Sequence, residues 1–215
     1  FEARGLRVVP VFASGLDARP AIERFFMLDG RSCVDAVVSL TGFSLVGGPA
    51  YNDAHAAEEV LAQLDVPYVV AQPMEFQSMS EWEASSRGLT PLETTMMVAL
   101  PELDGAIAPI VFGGRGTGGA RDMSVHSERA AMLVARVAKL VRLRRRAAAE
   151  RQVAVVIFNF PPNAGSVGTA AYLDVFRSLH NTLVGMREAG YDVRDLPADA
   201  DGLREALLGG NAAQH

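Results

Sequence analysis

The chain has 215 residues, of which 49% are hydrophobic and 21% charged, and its formal net charge is −5. This composition is typical of an ordered globular protein, and the acidic balance argues against a nucleic-acid partner, which needs clustered basic side chains. The single cysteine, Cys33, excludes an internal disulfide and a Cys-based zinc site. With no signal peptide and no apolar run of about 18 residues, the sequence predicts a cytoplasmic protein without an integral membrane segment.

Short apolar runs alternate with amphipathic patterns over the first half of the chain, as strands alternate with helices in α/β proteins. Asp53 and Thr90 are predicted N-caps, because their side chains can accept hydrogen bonds from the first helical turn, and Pro91 suits the first helical position. The predicted elements are a strand at 7–13, a helix at 19–28, a strand at 34–40, a helix from Asp53 to about Leu64, a strand at 66–71, helices at 78–86 and 91–100, and a strand at 107–112. We therefore expect an α/β fold with a parallel sheet flanked by helices, of the Rossmann or flavodoxin type.

A glycine-rich segment at 113–122 follows these elements. It lacks the Lys-Ser/Thr pair of a P-loop and opens no helix directly, so we expect a flexible connector. The remaining patterns predict a helix at 127–149, a strand at 153–160, a helix at 168–189 ending at Gly190, a short strand at 191–193, a weak helix at 199–208 and a frayed end. The predicted organisation is a first α/β unit at 1–120, a connecting long helix at 121–150 and the start of a second α/β unit at 151–215.

Two loops that follow predicted strands are rich in glycine and polar residues. Ligands of doubly wound sheets bind outside the carboxyl ends of strands, so both loops could face one crevice. The candidate substrate-binding residues are Gly42, Phe43, Ser44, Gly47, Gly48, Tyr51 and Asn52 from the first loop, and Asn159, Phe160, Asn163, Gly165 and Thr169 from the second. In the first loop, Phe43 and Tyr51 could stack on a flat ligand. The alternative for that loop is a tightly packed turn that needs positive φ at a glycine.

The second loop is predicted to end in a helix N-terminus near Gly168, whose backbone N–H groups would suit a carboxylate or a phosphate. No catalytic or metal-binding residue is predicted. The four histidines are scattered without metal-ligand spacing, and Ser44 and Ser166 have no histidine at a spacing that indicates a hydrolase triad. The residues alone indicate a small-molecule-binding α/β protein.

Six stretches, spread along nearly the whole chain, have a sequence similar to known proteins: 34–53, 64–68, 101–105, 111–115, 158–176 and 190–193. They closely resemble the CobN/magnesium chelatase family, and in particular the large H subunits of magnesium chelatase. The unbroken run at 168–173 is similar to the magnesium branch of the family. The resemblance implies binding of protoporphyrin IX and insertion of Mg²⁺, a step toward chlorophyll or bacteriochlorophyll. It also implies that ATP is hydrolysed by a separate AAA+ motor subunit, which works together with an accessory subunit.

Large subunits of this family are several times longer than this chain, and the chain opens with Phe1. We therefore expect an internal fragment, inactive alone, whose partners include the remaining domains of the same large subunit. Mg²⁺ and ATP would serve the whole complex, and neither is expected to be bound by the fragment. Phe43 and Phe160 would supply apolar surface to a porphyrin cleft, and the amides of Asn159 and Asn163 would donate to propionates. The alternatives are a fragment of a cobaltochelatase large subunit, from cobalamin biosynthesis, and a non-catalytic docking or scaffold module.

Overall fold

A computed structural model describes residues 1–48, 51–116, 122–159, 167–170 and 172–209. The chain divides into two compact units, Phe1–Arg144 and Arg145–His215.

The first unit contains both strands and helices. Its strands are β1 (Met27–Leu28), β2 (Arg31–Ser32), β3 (Val37–Ser39), β4 (Gly47–Gly48), β5 (Tyr51–Asn52), β6 (Tyr68–Met74), β7 (Ile107–Arg115) and β8 (Met123–Val125). Its helices are α1 (Arg19–Phe25), α2 (Ala54–Leu64), α3 (Met79–Ala84), α4 (Pro91–Glu93), α5 (Leu100–Asp104) and α6 (Ser127–Arg145), with a π-helical turn at Thr94–Ala99. The α/β class is therefore confirmed.

The main sheet has the strand order β3-β6-β7-β8. The pairs β3–β6 and β6–β7 are parallel, whereas β8 is antiparallel to β7. The expected all-parallel sheet is thus wrong at one edge, where β8 returns beside β7. Gly113 and Gly114, expected in a flexible connector, belong to strand β7. A Cβ at Gly113 would overlap the carbonyl oxygen of Ser124, and one at Gly114 would overlap Met74, so only glycine allows these strands to approach so closely. Residues 117–121 of the connector lie outside the described residues.

The two faces of β6 contribute to two apolar clusters. Every residue of this strand is buried, as expected for a parallel strand that has helices on both faces. Tyr68 and Val70 pack in a cluster with residues of α1 and α2. Val69 and Ala71 point to the other face and pack against Leu133, Val137 and Val141 of α6, together with Ile110.

The predicted helix starts at Asp53 and Thr90 are confirmed. Asp53 accepts a hydrogen bond from Ala56 N at 3.0 Å, and Thr90 forms a capping box with Glu93. The helix after Thr90 runs beyond its predicted end at residue 100, through the π-helical turn and into α5. Pro101 lacks the N–H that would bond the carbonyl of Met97. The buried Gln72 side chain donates to that carbonyl instead, at 3.0 Å.

The predicted strand at 7–13 is not formed. These residues have no strand partner among the described residues, and the Phe12 side chain is 88% exposed. An apolar run of this kind indicates burial, but it does not identify a partner strand. The predicted helix at 19–28 is also shorter, because the chain turns into the β1–β2 hairpin through Asp29 and Gly30, both with positive φ.

The second unit is mainly helical. It contains a 3₁₀ turn at Ala148–Glu150, strands β9 (Thr169–Ala170) and β10 (Leu173–Asp174), and helices α7 (Val175–Glu188) and α8 (Ala200–Gly209). Leu203 of α8 is buried, whereas α7 has no fully buried residue. The predicted strands at 153–160 and 191–193 are not formed among the described residues, because no neighbouring strand pairs with them.

The long helix of the second unit begins later than predicted. The expected start near Gly168 is wrong, because Thr169–Ala170 pairs with Leu173–Asp174 in the antiparallel strands β9 and β10. Asp174 provides the N-cap instead, accepting a hydrogen bond from Arg177 N at 3.0 Å. None of the helices that the structure describes, in either unit, has the length and apolarity to cross a membrane.

Candidate functional site

The first candidate loop follows β3 and then folds back against the sheet. Gly42 has a φ of 69°, and a Cβ there would lie 3.2 Å from Cδ of Pro73 and 3.5 Å from Met97. Gly42 is therefore the point where the loop crosses the carboxyl end of β6 at close range. The same chain segment then continues to Ser44 and Leu45, both of which are buried.

A buried carboxylate at the end of α5 holds this segment in place. Asp104 is fully buried, and its Oδ2 accepts a hydrogen bond from Leu45 N at 2.7 Å. Its Oδ1 lies 3.1 Å from Ser44 Oγ, and that hydroxyl lies equally far from the carbonyl oxygen of Val46. A serine hydroxyl has one proton, so it donates to one of these two oxygens at a time.

Burial raises the pKa of the Asp104 carboxyl above its ordinary value, whereas the hydrogen bonds from Leu45 and Ser44 act in the opposite direction. Desolvation dominates because none of the hydrogen-bond partners of Asp104 among the described residues is a basic side chain. A protonated Asp104 can donate to Ser44 Oγ, which leaves the hydroxyl proton for the carbonyl of Val46. Ser44 is therefore part of a buried structural network.

The loop ends in the tight β4–β5 hairpin. Gly47 pairs with Asn52, and its N–H donates to the carbonyl of Leu16 at 2.6 Å. Its φ is 119°, and a Cβ would overlap the carbonyl oxygen of Tyr51. Gly48 is packed against the Leu16 side chain. Close packing therefore accounts for glycine at both positions, as the alternative interpretation of a tightly packed turn predicts.

Three other candidates in this loop keep surface that a ligand could reach. Phe43 and Asn52 are half-buried, and Tyr51 is 70% exposed. An exposed ring can stack on a flat apolar ligand. The role of these residues in binding stays a prediction.

The second candidate loop is described only in part. Asn159 is exposed and forms an isolated antiparallel bridge with Val167, and Thr169 lies in β9. Phe160, Asn163 and Gly165 lie outside the described residues. The anion site expected at a helix N-terminus near Gly168 is not formed there, because α7 begins at Val175. The two loops belong to different units.

Sequence reasoning missed a carboxylate–imidazole pair beside the sheet. His126 Nε2 lies 2.9 Å from Glu83 Oε1, and its Nδ1 accepts a hydrogen bond from Arg129 N at 3.3 Å. Arg129 also stacks over Trp82 at 5.0 Å. Because both ring nitrogens of His126 are engaged, this arrangement caps and anchors α6. Glu83 and His126 are distant in the chain, so their spacing left no signal in the sequence.

A cleft of about 440 Å³ lies at the amino end of β6 and is lined by residues including Leu61, Asp65, Tyr68, Asp104 and Arg144. α/β proteins usually bind ligands at the opposite end of the sheet, outside the carboxyl ends of the strands. Burial raises the pKa of the Tyr68 hydroxyl well above its ordinary value, so the hydroxyl stays protonated. Among the residues that the structure describes, no group of three or more His, Cys, Asp or Glu side chains could hold a metal ion.

The fold and the loops define an α/β chain with glycine-rich connections and partly exposed aromatic side chains. Comparison with known proteins gives a more specific result. The family model described as CobN/Magnesium Chelatase matches residues 1–215. The chain belongs to this family.

Two curated relatives show which branch of the family is similar. The H subunit of magnesium chelatase from Cereibacter sphaeroides is 51% identical over 232 aligned residues, which cover 100% of this chain and 19% of the relative. The chloroplastic ChlH subunit of magnesium chelatase from Oryza sativa subsp. indica is 44% identical, with 99% of this chain and 15% of the relative covered. The chain therefore spans less than a fifth of the length of these relatives.

A solved structure supports the fold. The catalytic subunit of cobaltochelatase from Mycobacterium tuberculosis matches with a TM-score of 0.67 and 30% identity, covering 82% of this chain and 15% of that structure. The similarity extends over most of the chain, and it agrees with the mixed α/β architecture described above.

Proposed function

We propose that the chain is part of the porphyrin-binding H subunit of a magnesium chelatase, the enzyme that inserts Mg²⁺ into protoporphyrin IX on the way to chlorophyll or bacteriochlorophyll. The observation that carries this proposal is the 51% identity to the H subunit from Cereibacter sphaeroides over the whole chain. The identity to the cobaltochelatase structure is 30%. The magnesium branch is thus favoured over the cobalt branch.

The proposed role of this chain is to form part of the tetrapyrrole site. The ring of Tyr51, which is exposed, and that of Phe43 would contact the flat macrocycle. The amide of Asn159, which is exposed at the start of its loop, would donate to a propionate. The close packing of Gly42, Ser44, Gly47 and Gly48 would hold these rings in place. Phe160, Asn163, Gly165 and Thr169 are proposed as further contacts on the grounds of sequence alone.

The chemistry of the reaction explains why this chain would act only with others. Mg²⁺ prefers oxygen ligands and loses water reluctantly, and the pyrrole nitrogens must lose their protons to a base. Both ring nitrogens of His126 are already engaged in structural contacts. We propose that the metal and proton steps, and ATP hydrolysis, belong to the remaining domains and to the AAA+ motor and accessory subunits.

We also propose a finer assignment of the fold. The parallel strands β3, β6 and β7, with helices on both faces, support a Rossmann-like or flavodoxin-like first unit at 1–120. Residues 121–150 would then connect it to the start of a second α/β unit at 151–215. The cytoplasmic location stays a prediction.

Porphyrin binding by the full-length large subunit tests the proposed site. Phe43→Ala should weaken protoporphyrin IX binding about tenfold, which corresponds to ~1.4 kcal/mol, when it is measured by quenching of porphyrin fluorescence. Asn163→Ala should weaken it by a similar factor. The matched control is Phe25→Ala, because Phe25 is an exposed aromatic residue on α1 outside the candidate set. Unchanged affinity in both test variants would exclude this site while leaving family membership intact.

A second candidate is a cobaltochelatase large subunit, which the match to the Mycobacterium tuberculosis structure favours. The two candidates differ in the metal and in the macrocycle that they use. Insertion of Co²⁺ into a corrin-ring tetrapyrrole, with no insertion of Mg²⁺ into protoporphyrin IX, would support this candidate. A docking module would hold porphyrin or the motor complex without contacting the metal, whereas a scaffold module would bind neither macrocycle.

A further inference from the structure

The second unit has an apolar segment at 153–158 that lies open to solvent. Its sequence is Val-Ala-Val-Val-Ile-Phe. Val155 is 53% exposed and Val156 is 92% exposed. Ile157 is half-buried, and Val153 and Phe158 are also exposed. Soluble proteins rarely leave so many contiguous apolar side chains in water.

The backbone of 153–157 belongs to no sheet. Among the described residues, no strand pairs with these five, and the first pairing that follows them is the bridge between Asn159 and Val167. β-branched and aromatic side chains favour a strand only where neighbours pack against them. Residues 153–157 therefore have the composition of a buried strand and lack neighbouring strands among the described residues, whereas the carbonyl of Phe158 accepts a hydrogen bond from Gly168 N at 2.9 Å.

Successive side chains of a strand point to opposite faces. In a strand at this position, Val155 and Val156 would face opposite sides, and both are exposed. A strand that is apolar on both faces is typical of a parallel sheet covered on both sides. Edge pairing with a second copy of the same segment would cover an edge and leave both faces open, whereas a sheet completed by strands and helices from the rest of a longer chain would cover the edges and both faces.

We infer that 153–157 pairs with a strand of the same large subunit that lies outside these 215 residues. The chain covers 19% of the H subunit of magnesium chelatase from Cereibacter sphaeroides, so a subunit of that length contains ample chain to supply the strand. The paired strand would place 153–157 inside a sheet. This inference depends on family membership and on the exposed segment, and it is independent of porphyrin binding.

Cross-linking in the intact large subunit tests the inference. Val156→p-benzoylphenylalanine places a photoreactive group at the most exposed position of the segment, and mass spectrometry then identifies the peptide that it joins. The expected product is an intramolecular cross-link to a peptide outside residues 1–215. A cross-link to a peptide within this chain, a cross-link to a second copy, or no cross-link at all would overturn the inference.

Hydrogen exchange on the unmodified large subunit provides a measurement that does not depend on the substitution. The amides of 153–157 should exchange at least about 100-fold more slowly than those of the exposed residues Asp192, Arg194 and Asp195, because a paired strand exchanges only when it opens. Equal exchange in the two segments would overturn the inference. Protoporphyrin IX binding, measured on the same sample, separates this result from the outcome for the proposed function.

Discussion

Replacing the buried carboxylate of Asp104 should release the candidate loop from the end of α5. Asp104→Ala leaves the N–H of Leu45 buried without its acceptor, which costs about 1–3 kcal/mol. The lost contact to Ser44 adds about 1 kcal/mol, so the free energy of unfolding should fall by about 2–4 kcal/mol. Asp104→Asn is the matched control, since its amide oxygen can accept from Leu45 and its NH₂ group can donate to Ser44 Oγ. The asparagine variant should lose less than about 1 kcal/mol.

The pH dependence of stability, compared between wild type and Asp104→Asn, gives a sharper test. The pKa of Asp104 is raised in the folded state above its ordinary value of 3.8. Below pH 3.8 the acid is protonated in both states, and above the folded-state pKa the folded protein holds a poorly solvated carboxylate. The contribution of Asp104 to stability should therefore increase as the pH falls through the interval between these two values. Asp104→Asn should lack this dependence.

Urea unfolding across this pH range measures the effect. The single tryptophan, Trp82, lies in the same unit as Asp104 and reports its unfolding by fluorescence. The difference in unfolding free energy between wild type and Asp104→Asn should shift in favour of wild type as the pH is lowered. A flat difference, or a shift in the opposite direction, would refute the assigned desolvation of Asp104.

Three further substitutions test the packing around the candidate loop and β6. Gly47→Ala should destabilise the first unit by at least about 2 kcal/mol, because Gly47 has a positive φ and a Cβ there would overlap the facing strand. Gly15→Ala is the control: it has open space around it and should change stability by less than about 0.5 kcal/mol. Equal effects of the two substitutions in thermal unfolding would refute the strain at Gly47. Glu93→Ala should lower the free energy of unfolding, measured in urea, by about 3 kcal/mol, because this fully buried carboxylate accepts four hydrogen bonds. Glu102→Ala, on the exposed side of α5, is its control. Gln72→Met should cost about 1–3 kcal/mol by leaving a buried carbonyl unsatisfied, and no loss would indicate that water replaces the amide.

The elements of the first unit could be predicted where one local signal was sufficient. Asp53 and Thr90 mark helix starts because capping involves only the residues of the first turn. The strands at β6 and β7 were recognised as apolar runs, and their parallel pairing follows from the helices between them. These features need no information from distant parts of the chain.

The errors arose where the outcome depends on neighbours distant in sequence. The runs at 7–13 and 153–160 are rich in apolar residues, as β6 is, yet a run of this kind indicates burial and does not identify a partner strand. The glycines at 113 and 114 were interpreted as a connector, because the close approach of β6 and β8 to β7 is invisible in the sequence. The helix expected at Gly168 begins instead at Val175, where Asp174 supplies the cap.

The candidate site shows the same division. Glycines and aromatic residues identified the loop at 41–52, and the resemblance identified the family. The contact between Ser44 and Asp104 spans 60 residues, and the one between Glu83 and His126 also joins distant segments, so neither has a local pattern. The sequence could therefore identify the loop and could not show which of its residues are buried.

Metal insertion by the intact complex is the most direct test of the proposed function. The full-length large subunit that contains this chain would be combined with its motor and accessory subunits, ATP and protoporphyrin IX, and Mg-protoporphyrin would be followed by fluorescence. We expect Mg-protoporphyrin to form only when the large subunit is present. Absence of this product, together with Co²⁺ insertion into a corrin-ring tetrapyrrole, would contradict the proposed function.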